Sequence, residues 1–79
     1  MKSIQFMLSE EHIRVCDLLK AAGLADSGAQ GKHLVADGLV SVDGKPENRK
    51  TAKIRAGQSV QCRGTRILLV AKVEGDGHV

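Results

Sequence analysis

The chain has 79 residues, enough for one domain near the lower end of what buries a self-sufficient core, and too few to hold a second, catalytic domain. Its apolar content is almost entirely aliphatic, with Phe6 the single aromatic, so recognition by stacking bases on an aromatic platform is not expected. The formal net charge of +3 conceals a split: residues 45–66 hold seven basic side chains against Glu47 alone, a formal +6, while the rest of the chain comes to −3. Such a surplus in one short stretch is the electrostatic footprint of a module that sits on a polyanion.

The first element predicted is a helix opening at Ser9-Glu10-Glu11, where a hydroxyl can cap and two carboxylates meet the positive end of the helix dipole. Val15, Leu18, Leu19 and Ala22 repeat at i, i+3, i+4 and i+7 as one apolar stripe, and Gly23 ends the helix. A second helix is predicted from Ser27, with Gln30 three residues on in the form of a reciprocal capping box, to Gly38. Ala29, Leu34, Val35 and Ala36 supply its apolar side, Gln30, His33 and Asp37 project the other way, and the stem of Lys32 is expected along apolar surface with its ammonium reaching a groove. Gly28 and Gly31 each cost about 1 kcal/mol relative to alanine if interior; the sequence leaves open whether they permit a close helix approach or are merely tolerated.

After Gly38 the period changes from helical to alternating. Val40 and Val42 flank Ser41, Asp43-Gly44 signals a tight hairpin, and Pro46 restricts the following segment to an edge or loop that carries Asn48, Arg49 and Lys50. Lys53-Ile54-Arg55 alternates, Ala56-Gly57 turns the chain into Val60-Gln61-Cys62, and Arg63-Gly64 turns it into a last strand from Ile67 to Val73. The reading is α+β: two helices followed by a small antiparallel β-meander, one domain over residues 1–79 with a core at about 9–73 and a frayed tail at 74–79.

Arg14, Leu18, Leu19, Ser27, Ala29, Lys32, Gly38, Val40, Val42 and Gly44 stand in an ordered pattern that resembles the S-four RNA-binding domain, the αL module. The continuation from Lys45-Pro46-Glu47-Asn48-Arg49-Lys50 into Lys53-Ile54-Arg55-Ala56-Gly57 is similar to its small stand-alone bacterial members of the YbcJ type, and the resemblance runs from about Ile13 to Val70. It implies a non-catalytic protein that grips structured RNA in a groove between the second helix and the hairpin region, with Lys32, Lys45, Arg49, Lys50, Lys53 and Arg55 around it. Gly28, Gln30 and Gly31 stand where many relatives carry arginines or acids, which reduces the helical half of the basic surface to Lys32 with help from Arg14 and Lys20.

No catalytic constellation is visible: Cys16, Ser27 and the scattered acids offer no nucleophile, base and oxyanion site together. His12, His33, His78, Cys16 and Cys62 lack paired metal-ligand spacing, so no metal or other cofactor is expected, and the two cysteines read as reduced core residues. His33 reads as solvated, able also to touch a phosphate. The longest apolar run is too short for a bilayer and the amino terminus lacks a secretory signal's apolar core, so a soluble, cytoplasmic monomer is expected, with no membrane partner. The expected partner is RNA (ribosomal, transfer or small), reached alone or with the ribosome or ribosome-associated proteins. The alternatives are an adaptor that docks an acidic or ribosomal protein, and an accessory module of an RNA-modifying enzyme.

Overall fold

A computed structural model describes residues 2–72, so the expected frayed tail, His78 within it and the last residue of the expected final strand, Val73, lie outside the described residues. In chain order the elements are β1 (Lys2–Leu8), β2 (Ile13–Arg14), α1 (Val15–Ala21), α2 (Gly28–Ala36), β3 (Val40–Val42), β4 (Lys45–Pro46), β5 (Lys53–Ile54), β6 (Ser59–Cys62) and β7 (Thr65–Ala71). From α1 onward this is the expected α+β order, with β4–β3–β6–β7 joined antiparallel. It differs in two places: β5, expected within the meander, leaves the sheet and pairs with β2, and β1 lies parallel to β7 and makes the five-stranded sheet mixed, in the order β1-β7-β6-β3-β4. Ile4, Phe6 and Leu8 turn to the core at period two, so the sole aromatic side chain is packed against the interior.

The two tight turns form as their sequences require. Asp43 and Gly44 both take positive φ (51° and 82°) between β3 and β4, and Arg63 and Gly64 do the same (52° and 80°) between β6 and β7, the backbone of a two-residue hairpin loop. Pro46 sits in β4, at the sheet edge, where its missing amide costs no ladder bond.

The first helix does not start at Ser9. Ile13 and Arg14 are extended and paired with β5, and α1 begins at Val15, whose amide donates to the carbonyl of Ala52 at 2.8 Å. A loop carbonyl thus satisfies the first helical donor, and the N-cap position, Arg14, makes no side-chain cap. The stripe itself stands: Val15, Leu18 and Leu19 are fully buried, and Ala22 is partly so. At the far end Gly23 (φ 82°) donates to Lys20 and Leu24 donates to Leu19, which closes the helix in a Schellman motif.

The second helix is capped as expected at its start, where the Ser27 hydroxyl accepts from the Gln30 amide at 3.1 Å. The return contact is shifted, because the Gln30 side-chain oxygen accepts from the amide of Asp26 rather than that of Ser27. Its buried face also differs from the expected one. Gly31, Leu34 and Val35 point inward, while Ala29, Ala36 and Lys32 are exposed, so the Lys32 stem does not lie under apolar cover. The cause is Gly31: a Cβ there would stand 2.6 Å from the carbonyl oxygen of Cys16 and 3.1 Å from its Cα, so α2 is rotated to lay its glycine on the α1 backbone. Cys16 and Cys62 are both buried and unbridged.

This contact predicts opposite outcomes for two glycines on one helix. Gly31→Ala should destabilise the fold by about 1–3 kcal/mol through overpacking against rigid backbone, despite alanine's better helix propensity. Gly28→Ala would meet only the Asp17 carboxylate, at 3.7 Å, and should leave stability unchanged or raised. Equal denaturant midpoints for the two variants would contradict the close approach.

Candidate nucleic-acid interface

The shortest elements of the fold place its basic side chains. β2 and β5 form a separate two-stranded ribbon in the register Ile13↔Ile54 and Arg14↔Lys53. Residues directly opposite one another share a face. Ile54, 1% exposed, and Ile13 pack on the core, and Arg14 and Lys53 stand together on the solvent side. The alternation that buries Ile54 leaves Lys53 and Arg55 exposed on either flank of it.

Two cations facing each other across a ribbon repel, at a cost of a few tenths of a kcal/mol. Part of this is offset at the start of α1, where Arg14 Nε donates to Asp17 Oδ2 at 2.8 Å. The hydrogen bond to Asp17, followed by its charge, raises the guanidinium pKa further above its ordinary value. Asp17 also lies beside the start of α2, since a Cβ on Gly28 would be 3.7 Å from its Oδ1.

The loop between β4 and β5 adds the third cation. Glu47 folds it: its Oε2 accepts from the Arg49 amide at 2.9 Å and lies 3.5 Å from Arg49 Nε. The Ala52 amide donates to the Arg49 carbonyl at 3.3 Å, which bends the chain so that Arg49, Thr51, Ala52 and Lys53 line one open concavity of about 400 Å³. Lys50, exposed, stands within the same bend. Arg14 thus stands opposite Lys53, and Arg49 lines the same concavity as Lys53.

The remaining expected residues are placed differently. Lys45 is opposite Val42, and Val42 is opposite buried Val60, so the register puts Lys45 on the core-facing side of the sheet at its edge. Lys20, in the last turn of α1, and Lys32, in the middle of α2, are exposed, with no side-chain hydrogen bond or ion pair to the ribbon among the described residues. Three positions were not singled out from sequence: Asp17, which steadies Arg14, and Thr51 and Ala52, which line the concavity. The Arg14-x-x-Asp17 spacing on a helix start was the available signal for the first of these. Asp43, read only as a turn residue, has a depressed carboxylate pKa, first through the Ser59 backbone amide and then through the Gln58 side chain. Burial pushes the Cys62 thiol up, against a smaller lowering by the charge of Arg63. Among the described residues, no three His, Cys, Asp or Glu side chains are grouped to hold a metal ion, and no helix is long and apolar enough to cross a membrane.

A small α+β domain with this basic ribbon belongs to the S4 domain family, whose family model matches residues 6–70. The chain is 50% identical over 60 residues to YbcJ of Escherichia coli (strain K12), named as a candidate RNA-binding protein, and equally to YbcJ of Shigella flexneri, named as uncharacterized; each match covers 76% of this chain and 86% of the relative. Its fold is similar to the solution structure of YbcJ from E. coli, described as revealing an αL motif involved in RNA binding, with 44% identity, a TM-score of 0.64, and coverage of 90% of this chain and 89% of the other.

The facing cations predict a surface substitution that does not destabilise. Lys53→Gln removes the repulsion with Arg14 while Ile54 stays in place, so the unfolding free energy should be unchanged or higher by up to about 0.5 kcal/mol. A loss above about 1 kcal/mol in chemical denaturation would mean that Lys53 has a structural partner instead.

Proposed function

We propose that this chain is a non-catalytic RNA-binding protein that holds structured RNA by its phosphates. The contact surface is the face formed by Arg14, Arg49, Lys50 and Lys53, with Arg55 at its margin and Lys20, Lys32 and Lys45 as outlying cations on the helices and the sheet edge. The observation that carries the reading is Arg14 set directly opposite Lys53, with Arg49 lining the same concavity as Lys53. Such an arrangement is unfavourable alone and favourable with polyanionic charge laid across it, because each neutralised phosphate releases condensed counterions. Membership of the S4 domain family and the RNA-binding descriptions of the YbcJ relatives support the same reading.

The packing of Phe6 against the core supports recognition through phosphates and shape rather than base stacking. Ribosomal, transfer and small RNAs all present the backbone this surface fits. The protein acts as a cytoplasmic monomer without a cofactor, and ribosome association follows where the bound RNA is ribosomal.

With four to six contacts, the logarithm of affinity for a structured RNA should fall against the logarithm of salt concentration with a slope of roughly −3 to −5. Arg49→Glu combined with Lys50→Glu should weaken binding across many RNA sequences and flatten that slope, since phosphate contacts position without specifying bases. A folded double variant that matches the parent throughout a salt titration overturns the assignment and favours an acidic protein as the partner of this face.

A further inference from the structure

Asp43 and Gln58 form a relay that ends on Arg55. Gln58 Oε1 accepts from the Arg55 amide at 2.8 Å, and its Nε2 donates to Asp43 Oδ2 at 3.2 Å. The other Asp43 oxygen, Oδ1, accepts from the Ser59 amide at 2.9 Å, and the Asp43 amide donates to the Ser59 carbonyl at 2.8 Å. The Gln58 amide also donates to the Arg55 carbonyl at 3.2 Å, around Gly57 with φ 93°. Arg55 is thus tied to Gln58 through both of its backbone polar groups.

We infer that Asp43 and Gln58 are positioning residues that fix Arg55 beside Lys53 as a phosphate contact. The inference rests on the RNA reading above. The chemistry lies in the polarity of the relay. A carboxylate only accepts hydrogen bonds, so it obliges the Gln58 carboxamide to turn its NH2 toward Asp43 and its oxygen toward the Arg55 amide. The turn itself has other closures, in the Gln58 amide to the Arg55 carbonyl and the Gly57 amide to the Leu69 carbonyl at 2.8 Å. What the acceptor at position 43 adds is the orientation of Gln58 that keeps its oxygen on the Arg55 amide, which holds the backbone beneath a long cationic side chain and reduces the disorder lost when that side chain meets a phosphate. The hairpin tip and the backbone of Arg55 are thereby joined through hydrogen bonds.

The test is an exchange of polarity, read by titrating an RNA hairpin at several salt concentrations, with circular dichroism to show that each variant is folded. Asp43→Asn, with its oxygen kept on the Ser59 amide, sets NH2 against NH2, so Gln58 must give up either position 43 or the Arg55 amide. Gln58→Glu sets carboxylate against carboxylate. Each single variant should bind roughly threefold to tenfold more weakly than the parent, with a salt slope shallower by about one. The combined Asp43→Asn, Gln58→Glu variant lets the new amide donate to the new carboxylate while both outer bonds persist, and should recover the parent affinity and slope. In an Arg55→Ala background, Asp43→Asn should have no further effect.

Asp43→Asn raises the net charge by one, so a role that is merely electrostatic would tighten RNA binding rather than weaken it. Should Asp43→Asn unfold the protein, Gln58→Ala carries the same expectation, because it leaves the Asp43 bond to Ser59 intact. The inference is overturned if the folded single variants bind as tightly as a parent that does bind RNA, if the combined variant is no better than either single one, or if the loss persists without Arg55. A parent with no salt-dependent affinity for RNA overturns the functional reading itself, and this inference with it, and is a distinct result.

Discussion

The burial of Ile54 is the contact on which the basic face of this protein depends. Between β4 and β6 the chain leaves the main sheet, and the two-residue β5 is its only paired segment along the way. Putting Ile54 in the core is worth roughly 1.5–3 kcal/mol, at least as much as the one or two hydrogen bonds of so short a ribbon. The bond from the Val15 amide to the Ala52 carbonyl ties this point to the start of α1. Once Ile54 faces inward, Lys53 must face outward, and antiparallel register sets Arg14 opposite it. The basic face follows from an apolar anchor.

The helices serve the same end from the other side. Gly31 on the Cys16 backbone brings α2 close enough to α1 for Asp17 to stand between the Arg14 guanidinium and the first turn of α2. Asp17 is partly exposed, so its attraction for Arg14 is screened and modest. That is enough to orient the guanidinium while its positive charge remains available to an anion. Glu47 does the same for Arg49 in the loop, and the two acids prearrange the cations without neutralising the face.

Features encoded within a few neighbouring residues were legible in the sequence. Asp43-Gly44 and Arg63-Gly64 supply the positive φ values that a two-residue turn demands, Ser27 caps its helix, and Pro46 lies at an edge. Those requiring a distant partner were not. β1 pairs with β7 from the opposite end of the described chain, and Met7, apolar yet 65% exposed, blurs the alternation of Ile4, Phe6 and Leu8. Ser9 resembled a cap because nothing local reveals that Ile13 would be drawn into a ribbon with Ile54. The buried face of α2 was misplaced toward Ala29 and Ala36 because a helical wheel gives glycine no weight, whereas Gly31 is the residue in closest contact. Of the candidate site, residue types and the charged stretch could be read directly. The pairing of Arg14 with Lys53 could not, since it exists only through the register of two strands far apart in the chain.

The central claim is that the ribbon and its adjoining loop form the surface on which the polyanion lies. Amide chemical shifts of the labelled protein, followed during titration with a structured RNA at low and high salt, test it most directly. The account predicts shifts concentrated at residues 13–14 and 49–55 that shrink as salt is raised. Shifts centred instead on Ser3, Gln5 and Met7 of β1, or insensitive to salt, would contradict it.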